Sequence, residues 1–466
     1  MKHLRLFPDT TVRNSILANI DYKILSKTEG EPGVGIQQGT WINPKTLPFY
    51  IDVREPVTLA ATSGLQMSTD CENWNDTTAM TLPIGRTYFR VASDQESPLK
   101  PNWIEDNNSD YDIGGNINSL VKVNFEEDTT CYVFYDGSGD TGFFQDKAKL
   151  KRAGNLVLPA TTLLNNCYKR MFRNCTSLTA APELPATTLA DNCYDRMFFG
   201  CELLTTAPAL PATTLADSCY FAMLANCGSL ITAPVLPATT LANRCYGNMF
   251  QSCVSLTTAP ELPATTLASS CYGNMFTYCS SLATAPVLPA TTLAPNCYQA
   301  MFNRCTSLTT APELPAETLA DNCYNTMFCH TSLTTAPALP AETMAFACYK
   351  WMFEYCPNLT NAPELPATTL AKNCYTGMFK DCPSMTTPPE LPATTLAEGC
   401  YQQLFQNSPN INNIKCLATD ISATNCTTNW TDGVAATGTF VKNPNMSGWT
   451  TGTSGIPSGW TVQDAA

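Results

Sequence analysis

The stretch Cys193-Tyr-Asp-Arg-Met-Phe-Phe-Gly-Cys201 runs on through Pro208-Ala-Leu-Pro211-Ala-Thr-Thr-Leu215 to a second Cys-Tyr pair at 219, 26 residues after the first. Most of the chain repeats this unit. Cys-Tyr pairs stand at 167, 193, 219, 245, 271, 297, 323, 348, 374 and 400, and every interval is 26 residues except one of 25 that ends at 348. A fixed period of this length indicates stacked copies of one unit, because each copy buries its apolar side chains against its neighbours.

Apolar residues in the first third of the unit have a spacing typical of a helix. With the first cysteine as position 0, the Cys, Tyr, Met, Phe and second Cys columns fall at positions 0, 1, 4, 5 and 8. At about 100° per residue they lie within an arc of about 140°, which predicts the buried face of a short helix. Asp, Asn or Ser usually precedes it, as in Asp191-Asn192, and these residues cap helix N-termini.

A proline corner and short strands complete the predicted unit. Two prolines, such as Pro208 and Pro211, fix φ near about −65° and exclude the middle of a sheet. The predicted fold class is therefore α+β: a solenoid of 26-residue coils, each with a short helix and short strands.

The part of the chain before the repeats has a different pattern. Alternating β-rich runs occupy residues 49–53, 57–61, 87–91, 120–125 and 131–135, which predicts a β-sandwich-like domain. We predict an N-terminal attachment module and linker at 1–40, the β-sandwich-like domain at 41–135, the solenoid at 136–415 and a C-terminal cap at 416–466.

Composition limits the partners of the chain. The net charge is −13 and only 14% of residues are charged, so no basic surface is expected to follow a phosphate backbone. No apolar run approaches the roughly 20 residues that span a bilayer, and the amino terminus lacks the apolar segment of a signal peptide. We therefore expect no nucleic-acid binding, no membrane insertion and no export by the usual route.

Nearly all of the 23 cysteines are expected to be free, and those at repeat positions to be reduced, buried thiols. Cysteines eight apart on one helix would be separated by about 12 Å, and equivalent cysteines on neighbouring helices by about 8–10 Å. Both separations exceed the roughly 7 Å reach of a disulfide between Cα atoms. Cysteine pairs separated by two residues, the usual zinc signature, are absent, so we predict no metal and no cofactor.

The repeat resembles a known family. Phe-x-x-Cys-x-Ser-Leu-Thr, followed by Leu-Pro and a Thr-Leu step, is similar to the BspA-like (treponemal) leucine-rich repeat over roughly residues 140 to 430. The usual unit of that family is somewhat shorter and carries Ala-Phe where this chain has Met-Phe. The resemblance implies a leucine-rich-repeat solenoid used in adhesion and binding. The segment Gly114–Leu120 and the tail Gly455–Trp460 look similar to the flanks of such arrays in gut-anaerobe bacteria and their phages. The opening Lys2–Phe7 is similar to the start of virion proteins in phages of those hosts, including the crAss-like group.

Residues suited to catalysis are few, and we predict no catalytic site. The chain has two histidines, and only His330, beside Cys329 in the shortened unit, has a nucleophile for a neighbour. The simpler interpretation is a one-residue deletion that displaced a structural cysteine. The segment Asp136-Gly-Ser-Gly-Asp140 is either an incomplete calcium loop or a tight turn.

Paired threonines recur in register, as in Thr213-Thr214, Thr239-Thr240 and Thr265-Thr266. A threonine lattice could bind ice or carbohydrate, but threonine is also a common residue in β-structure. Since neighbours in a strand point to opposite faces, we expect only one column of each pair to be displayed.

Positions 2, 3, 6 and 7 vary between units and face away from the predicted core. Aromatic and arginine side chains there form our candidate binding surface, since such residues dominate binding patches. The alternative is a surface that drifts without a binding role. The candidates are Arg170, Arg196, Phe199, Phe221, Tyr278, Arg304, Trp351 and Tyr355.

These features predict a non-enzymatic phage virion structural protein, a fibre, decoration or host-recognition subunit assembled in the reducing host cytoplasm. It would contact other virion proteins through its N-terminal region and a host surface protein or glycan through the solenoid. A homo-oligomer is also compatible with this prediction. The alternative is a leucine-rich-repeat adhesin on a bacterial cell surface.

Overall fold

The computed structural model describes residues 44–59, 64–77, 80–95, 104, 109–134 and 141–466. The predicted module at 1–40 and the acidic segment 136–140 lie outside these residues. Within them there are eleven strands, two short 3₁₀ turns at Pro44–Thr46 and Ile117–Leu120, and no α-helix. The strands are β1 (Phe49–Val53), β2 (Val57–Leu59), β3 (Leu65–Ser68), β4 (Asn75–Asp76), β5 (Met80–Leu82), β6 (Gly85–Val91), β7 (Tyr111–Asn116), β8 (Leu150–Val157), β9 (Asn413–Cys416), β10 (Thr439–Lys442) and β11 (Thr461–Asp464).

The β-rich region before the repeats contains one large sheet and one small sheet. The large sheet has the order β4-β3-β6-β1-β7-β8, and β2 pairs with β5 in the small one. The runs predicted at 49–53, 57–61 and 87–91 correspond to β1, β2 and β6. The runs predicted at 120–125 and 131–135 do not form strands over their described residues, 120–125 and 131–134. Side-chain amides bond the backbone here instead: Asn116 donates to the Phe125 carbonyl at 3.2 Å, and Asn118 donates to the carbonyls of Asp128 (2.9 Å) and Thr130 (3.3 Å) between the two runs.

The large sheet continues directly into the solenoid. Strand β8 pairs with β7 in parallel, whereas the other pairs in this sheet are antiparallel. The next coil then bonds to β8, because the Ala153 amide donates to the Ala180 carbonyl at 2.8 Å. Phe144 stacks on Phe172 with ring centroids 5.4 Å apart. One hydrophobic core therefore runs from the sheet into the repeats.

The predicted short helix does not form. Positions −1, 3 and 7 of each coil have positive φ, as at Asn192 (57°), Arg196 (53°) and Gly200 (72°), whereas an α-helix needs φ near about −63°. Met197 donates its amide to the Tyr194 carbonyl three residues back (3.1 Å), and the next amide, of Phe198, donates to Met223 in the following coil (2.9 Å). Tight turns and parallel coil-to-coil bonds thus alternate along the segment.

Helical geometry also fails to explain the polar residues before each Cys-Tyr pair. Asp191 caps no helix: its Oδ1 accepts the amide of Asp217, the equivalent residue one coil on, at 3.1 Å. Asp217 accepts in turn from Asn243 at 2.9 Å. The asparagine at position −1, such as Asn192, occupies the left-handed region, which Asn tolerates better than most residues.

Aromatic columns fill the interior of the solenoid. From Tyr168 to Tyr401 the buried tyrosines stack one per coil, with ring centroids 5.7 to 6.1 Å apart. A parallel phenylalanine column at position 5 is interrupted by Leu224. At the carboxyl end Trp430 stacks beneath Tyr401 at 6.2 Å and on Trp449 at 5.4 Å. The parallel sheet β11-β10-β9 follows there.

The cysteines form two further columns, and most of them are free thiols. Cysteines at position 8 donate to the phenylalanine carbonyl of the preceding coil, as Cys201 does to Phe172 at 3.1 Å. Ser408 takes the same place and donates to Phe379 at 2.9 Å. The prediction of nearly all free cysteines agrees with the 21 that are free, but Cys167, expected to be a reduced repeat cysteine, forms a disulfide with Cys131. Equivalent cysteines of neighbouring coils are also closer than the predicted 8–10 Å, since hydrogen-bonded coils stack at about 4.8 Å rather than at helix spacing.

We expect Thr326→Gly to raise the free energy of unfolding by about 0.5–1 kcal/mol. Thr326 has φ +54°, and left-handed geometry costs a non-glycine residue about 1–2 kcal/mol, which exceeds the chain entropy that glycine adds. Urea unfolding at neutral pH measures the difference. The neighbouring Asn325→Gly, at a position without positive φ, is the matched control and should lower stability by about 0.5–1 kcal/mol. A loss of about 1 kcal/mol in both variants, as in a helix, would contradict the turn geometry.

Candidate binding face

The side chains at positions 2, 3, 6 and 7 lie on one side of the solenoid, between the buried columns. We call this surface the variable face. Each coil contributes two tight turns to it, and the coils are held in register by backbone hydrogen bonds such as Arg196 to Phe221 (2.9 Å). All eight candidate residues lie on it. Tyr278 (47% exposed), Arg304 and Tyr355 (42% exposed) project furthest, and the other five are half-buried.

The structure groups the first four candidates into one basic patch. Asp195, only 3% exposed, lies at its centre, with Arg196 Nη1 2.8 Å from Oδ1 and Lys169 Nζ 3.5 Å from Oδ2. Burial raises the pKa of the Asp195 carboxyl, against the opposing effect of Arg196 and Lys169. Arg170 follows Lys169 in the first coil, and its charge also favours the ionised form of the Asp195 carboxyl.

Aromatic rings hold the guanidinium groups of this patch in place. Phe221 lies between Arg196 and Arg244, whose guanidinium carbons are 4.8 and 4.6 Å from its ring centroid. Arg173 lies 5.5 Å from the centroid of Phe199. Cation–π contacts of this kind fix the orientation of a planar guanidinium group. The basic patch therefore comprises Lys169, Arg170, Arg173, Asp195, Arg196, Phe199, Phe221 and Arg244.

A second cluster gathers three more candidates near the carboxyl end. Arg304 lies 5.3 Å from the Tyr278 ring centroid. One coil further, His330 stacks on Tyr355 with centroids 4.4 Å apart. Lys380 bridges Glu354 at 2.8 Å and Asp381 at 3.7 Å. The charges in this cluster are largely paired within the protein.

Trp351, the eighth candidate, lies apart from both clusters in its contacts. The Lys350 ammonium lies 4.0 Å from the centroid of the Trp351 ring. The indole covers Gly377 in the next coil. A Cβ on Gly377 would collide with the indole, so glycine is required beneath it.

Cys329 and His330 are not arranged as a nucleophile and its base. Cys329 is 4% exposed, and its Sγ lies 3.8 Å from a carboxylate oxygen of Glu354. Burial, followed by the Glu354 charge, raises the pKa of this thiol, which therefore stays protonated at neutral pH. The displaced-cysteine interpretation is also wrong in detail: Thr331 occupies position 8, and the missing residue lies between Thr331 and Leu333. Within the described part of the chain, no group of three His, Cys, Asp or Glu side chains could hold a metal ion.

The threonine pairs display both members, contrary to our expectation of one column. Thr213 and Thr214 are both exposed, as are Thr239 and Thr240. Only the second of each pair makes an inter-coil bridge, for example Thr214 with Thr188. The coil bends at this point instead of continuing as a strand, so neighbouring side chains do not alternate between faces.

Several members of the basic patch were not predicted from the sequence. Arg244 was overlooked because position −1 was assigned to the cap of the predicted helix, and buried Asp195 was not recognised as the electrostatic centre of the patch. The signal was present in the repeat: buried pairs at 0/1 and 4/5 recur every four residues, not every 3.6 as in a helix. A four-residue period places positions −1, 3 and 7 together.

These features define a repeat solenoid whose coils are joined by parallel backbone hydrogen bonds and whose variable face carries the candidate residues. Among solved structures, it is similar to a leucine-rich repeat protein from Bacteroides ovatus ATCC 8483, with a TM-score of 0.34, 15% sequence identity, and coverage of 69% of this chain and 77% of that one. No protein-family model matches the sequence. No curated protein matches it. In the described residues no helix has the length and apolar character needed to cross a membrane.

Proposed function

We propose that this chain is a non-enzymatic binding protein of the BspA-like leucine-rich-repeat type, which serves as a structural subunit of a phage virion. The main observation that supports this proposal is that each coil has a constant part and a variable part. Tyr, Phe, Cys and Leu columns repeat almost unchanged in the core, while the variable face differs from coil to coil. A rigid scaffold that displays arginine and aromatic side chains suits recognition.

Two observations bear on where the protein acts. The 21 free cysteines support assembly in a reducing cytoplasm, where thiols persist, and therefore support a virion subunit. The Cys131–Cys167 disulfide favours the second candidate, an adhesin exposed on a bacterial surface. In either role the N-terminal region would attach the protein to its assembly, and the solenoid would contact a host protein or glycan.

Mass spectrometry of purified phage particles and of the host envelope tests this proposal. We expect peptides of the repeat region in particles at a constant ratio to the other virion proteins. Recovery from the host envelope alone, with none in particles, would contradict the virion role and support the adhesin. If the protein is found in particles, immunoelectron microscopy with an antibody to the solenoid would give its position on the particle.

A further inference from the structure

The basic patch is a local concentration of positive charge on an acidic protein. It contains five cations, Lys169, Arg170, Arg173, Arg196 and Arg244, and one carboxylate, Asp195. Its net charge is therefore +4, and the rest of the chain, whose total is −13, carries −17. Such a patch attracts an anion, while the surrounding negative surface repels anions elsewhere.

The patch presents its cations in fixed orientations. Arg196 and Arg244 lie on either side of the Phe221 ring, and Arg173 lies against Phe199. Ordered guanidinium groups bind carboxylates through paired hydrogen bonds and lose little side-chain entropy in doing so.

A floor of amide side chains adjoins the patch in the following coils. It comprises Asn248, Gln251, Asn274, Gln299 and Asn303, all half-buried. Gly247 and Gly273 at position 2 leave the floor flat. The Asn248 amide donates to Gln251 Oε1 at 2.6 Å, and the buried Asn303 Oδ1 accepts no hydrogen bond. Amides both donate and accept, as the recognition of hydroxyl groups requires.

We propose that the basic patch and the amide floor together bind an acidic polysaccharide, with carboxylates on the arginines of the patch and hydroxyl groups on the amides. This inference rests on the proposed binding function and specifies its ligand. An acidic protein partner fits less well, because guanidinium groups lie over the rings of Phe199 and Phe221, so neither ring is available as the desolvated apolar anchor on which a protein interface centres. Among the described residues, none of the exposed large aliphatic side chains lies in the patch or the floor.

Binding of the full-length protein to polygalacturonate tests the proposal, with dextran as a neutral polysaccharide and poly-L-glutamate as an acidic polypeptide. The double variant Arg196→Gln/Arg244→Gln should weaken polygalacturonate binding at least about tenfold, since hydrogen bonds to charged groups are the stronger kind. The control Lys372→Gln/Lys415→Gln makes the same change in net charge at exposed positions away from the patch and should change binding less than about twofold. Binding should also weaken with added salt.

The following outcomes would contradict the assignment of an acidic polysaccharide as the ligand. Equal losses in the two double variants would show non-specific charge attraction. Tighter binding to poly-L-glutamate would indicate an acidic protein partner, and equal binding to dextran would indicate a neutral glycan; both leave the proposed binding function intact. Failure to bind any of the three probes overturns the polysaccharide assignment, while the virion test decides the proposed function separately.

Discussion

Raising the pH from 8 to 11 is expected to unfold the solenoid. Burial raises the pKa of many core thiols to about 12, including Cys175, Cys227 and Cys279, from the ordinary value of 9.0. A thiol is neutral when protonated, so the folded state retains protons that the unfolded chain has released. This stabilisation is complete below pH 9 and is lost as the pH rises towards 12. Between pH 9 and pH 12 each such thiol lowers the free energy of unfolding by about 1.4 kcal/mol per pH unit. The total free energy of unfolding is about 5–15 kcal/mol, so a few thiols suffice to unfold the protein.

Circular dichroism and thiolate absorbance, followed together against pH, measure this transition. The two signals should change in one step, with no change between pH 6 and 8. Cys279→Ser should reduce the number of protons released on unfolding by one while keeping the fold, because Ser408 already makes the equivalent hydrogen bond. A folded protein at pH 11, or thiolate absorbance that rises well before unfolding, would show that the thiols are not buried as described.

Deletion of Gln299 is expected to remove more than about 4 kcal/mol from the free energy of unfolding. Gln299 lies in the run of turns, where coil-to-coil and within-coil hydrogen bonds alternate, as at Tyr298 and Gln299 themselves. Removing it puts the alternation out of phase, moves Met301 to the surface and brings Asn303 towards the core. Losing buried side chains of this size costs about 2–5 kcal/mol each, and a buried unpaired amide adds to the cost.

Deletion of Ser307 is the matched control. It removes a residue after position 8, where the coil that begins at Cys323 is already one residue short. That coil keeps its aromatic stacks, since Phe328 lies 5.7 Å from both Phe302 and Phe353. We expect a loss of less than about 2 kcal/mol in urea unfolding, within the range of ordinary surface changes. Equal losses for the two deletions would contradict the assigned phase of the turns.

Much of the architecture follows from the period and from composition. The 26-residue interval predicts a solenoid, and the constant Tyr, Met, Phe and Cys columns are buried as expected. Positions 2, 3, 6 and 7 fall between the buried pairs under either a helical or a turn geometry, but Asp195, Thr277 and Cys329 at these positions are buried. The helix was wrong because five apolar residues over nine positions fit a period of 3.6 and a period of 4 almost equally well.

The contents of the candidate site could not be predicted to the same extent. Arg196, Phe221 and Arg244 belong to three different coils, and their contact depends on the spacing between coils. A helical solenoid would separate equivalent residues by about 8–10 Å, whereas hydrogen-bonded turns bring them to about 4.8 Å. The shorter spacing permits cation–π contacts between coils and buries Asp195 beneath two cations.

The sequence by itself determined the repeat, its length and the identity of its core columns, because burial depends on apolar periodicity, which is local information. The tertiary structure alone decided the backbone between Cys193 and Cys201. Left-handed residues there are unfavourable in isolation and become favourable only when the next coil accepts the hydrogen bonds of alternate amides. The same stacking decided which side chains meet on the variable face, and it formed the basic patch from residues that lie in four successive coils.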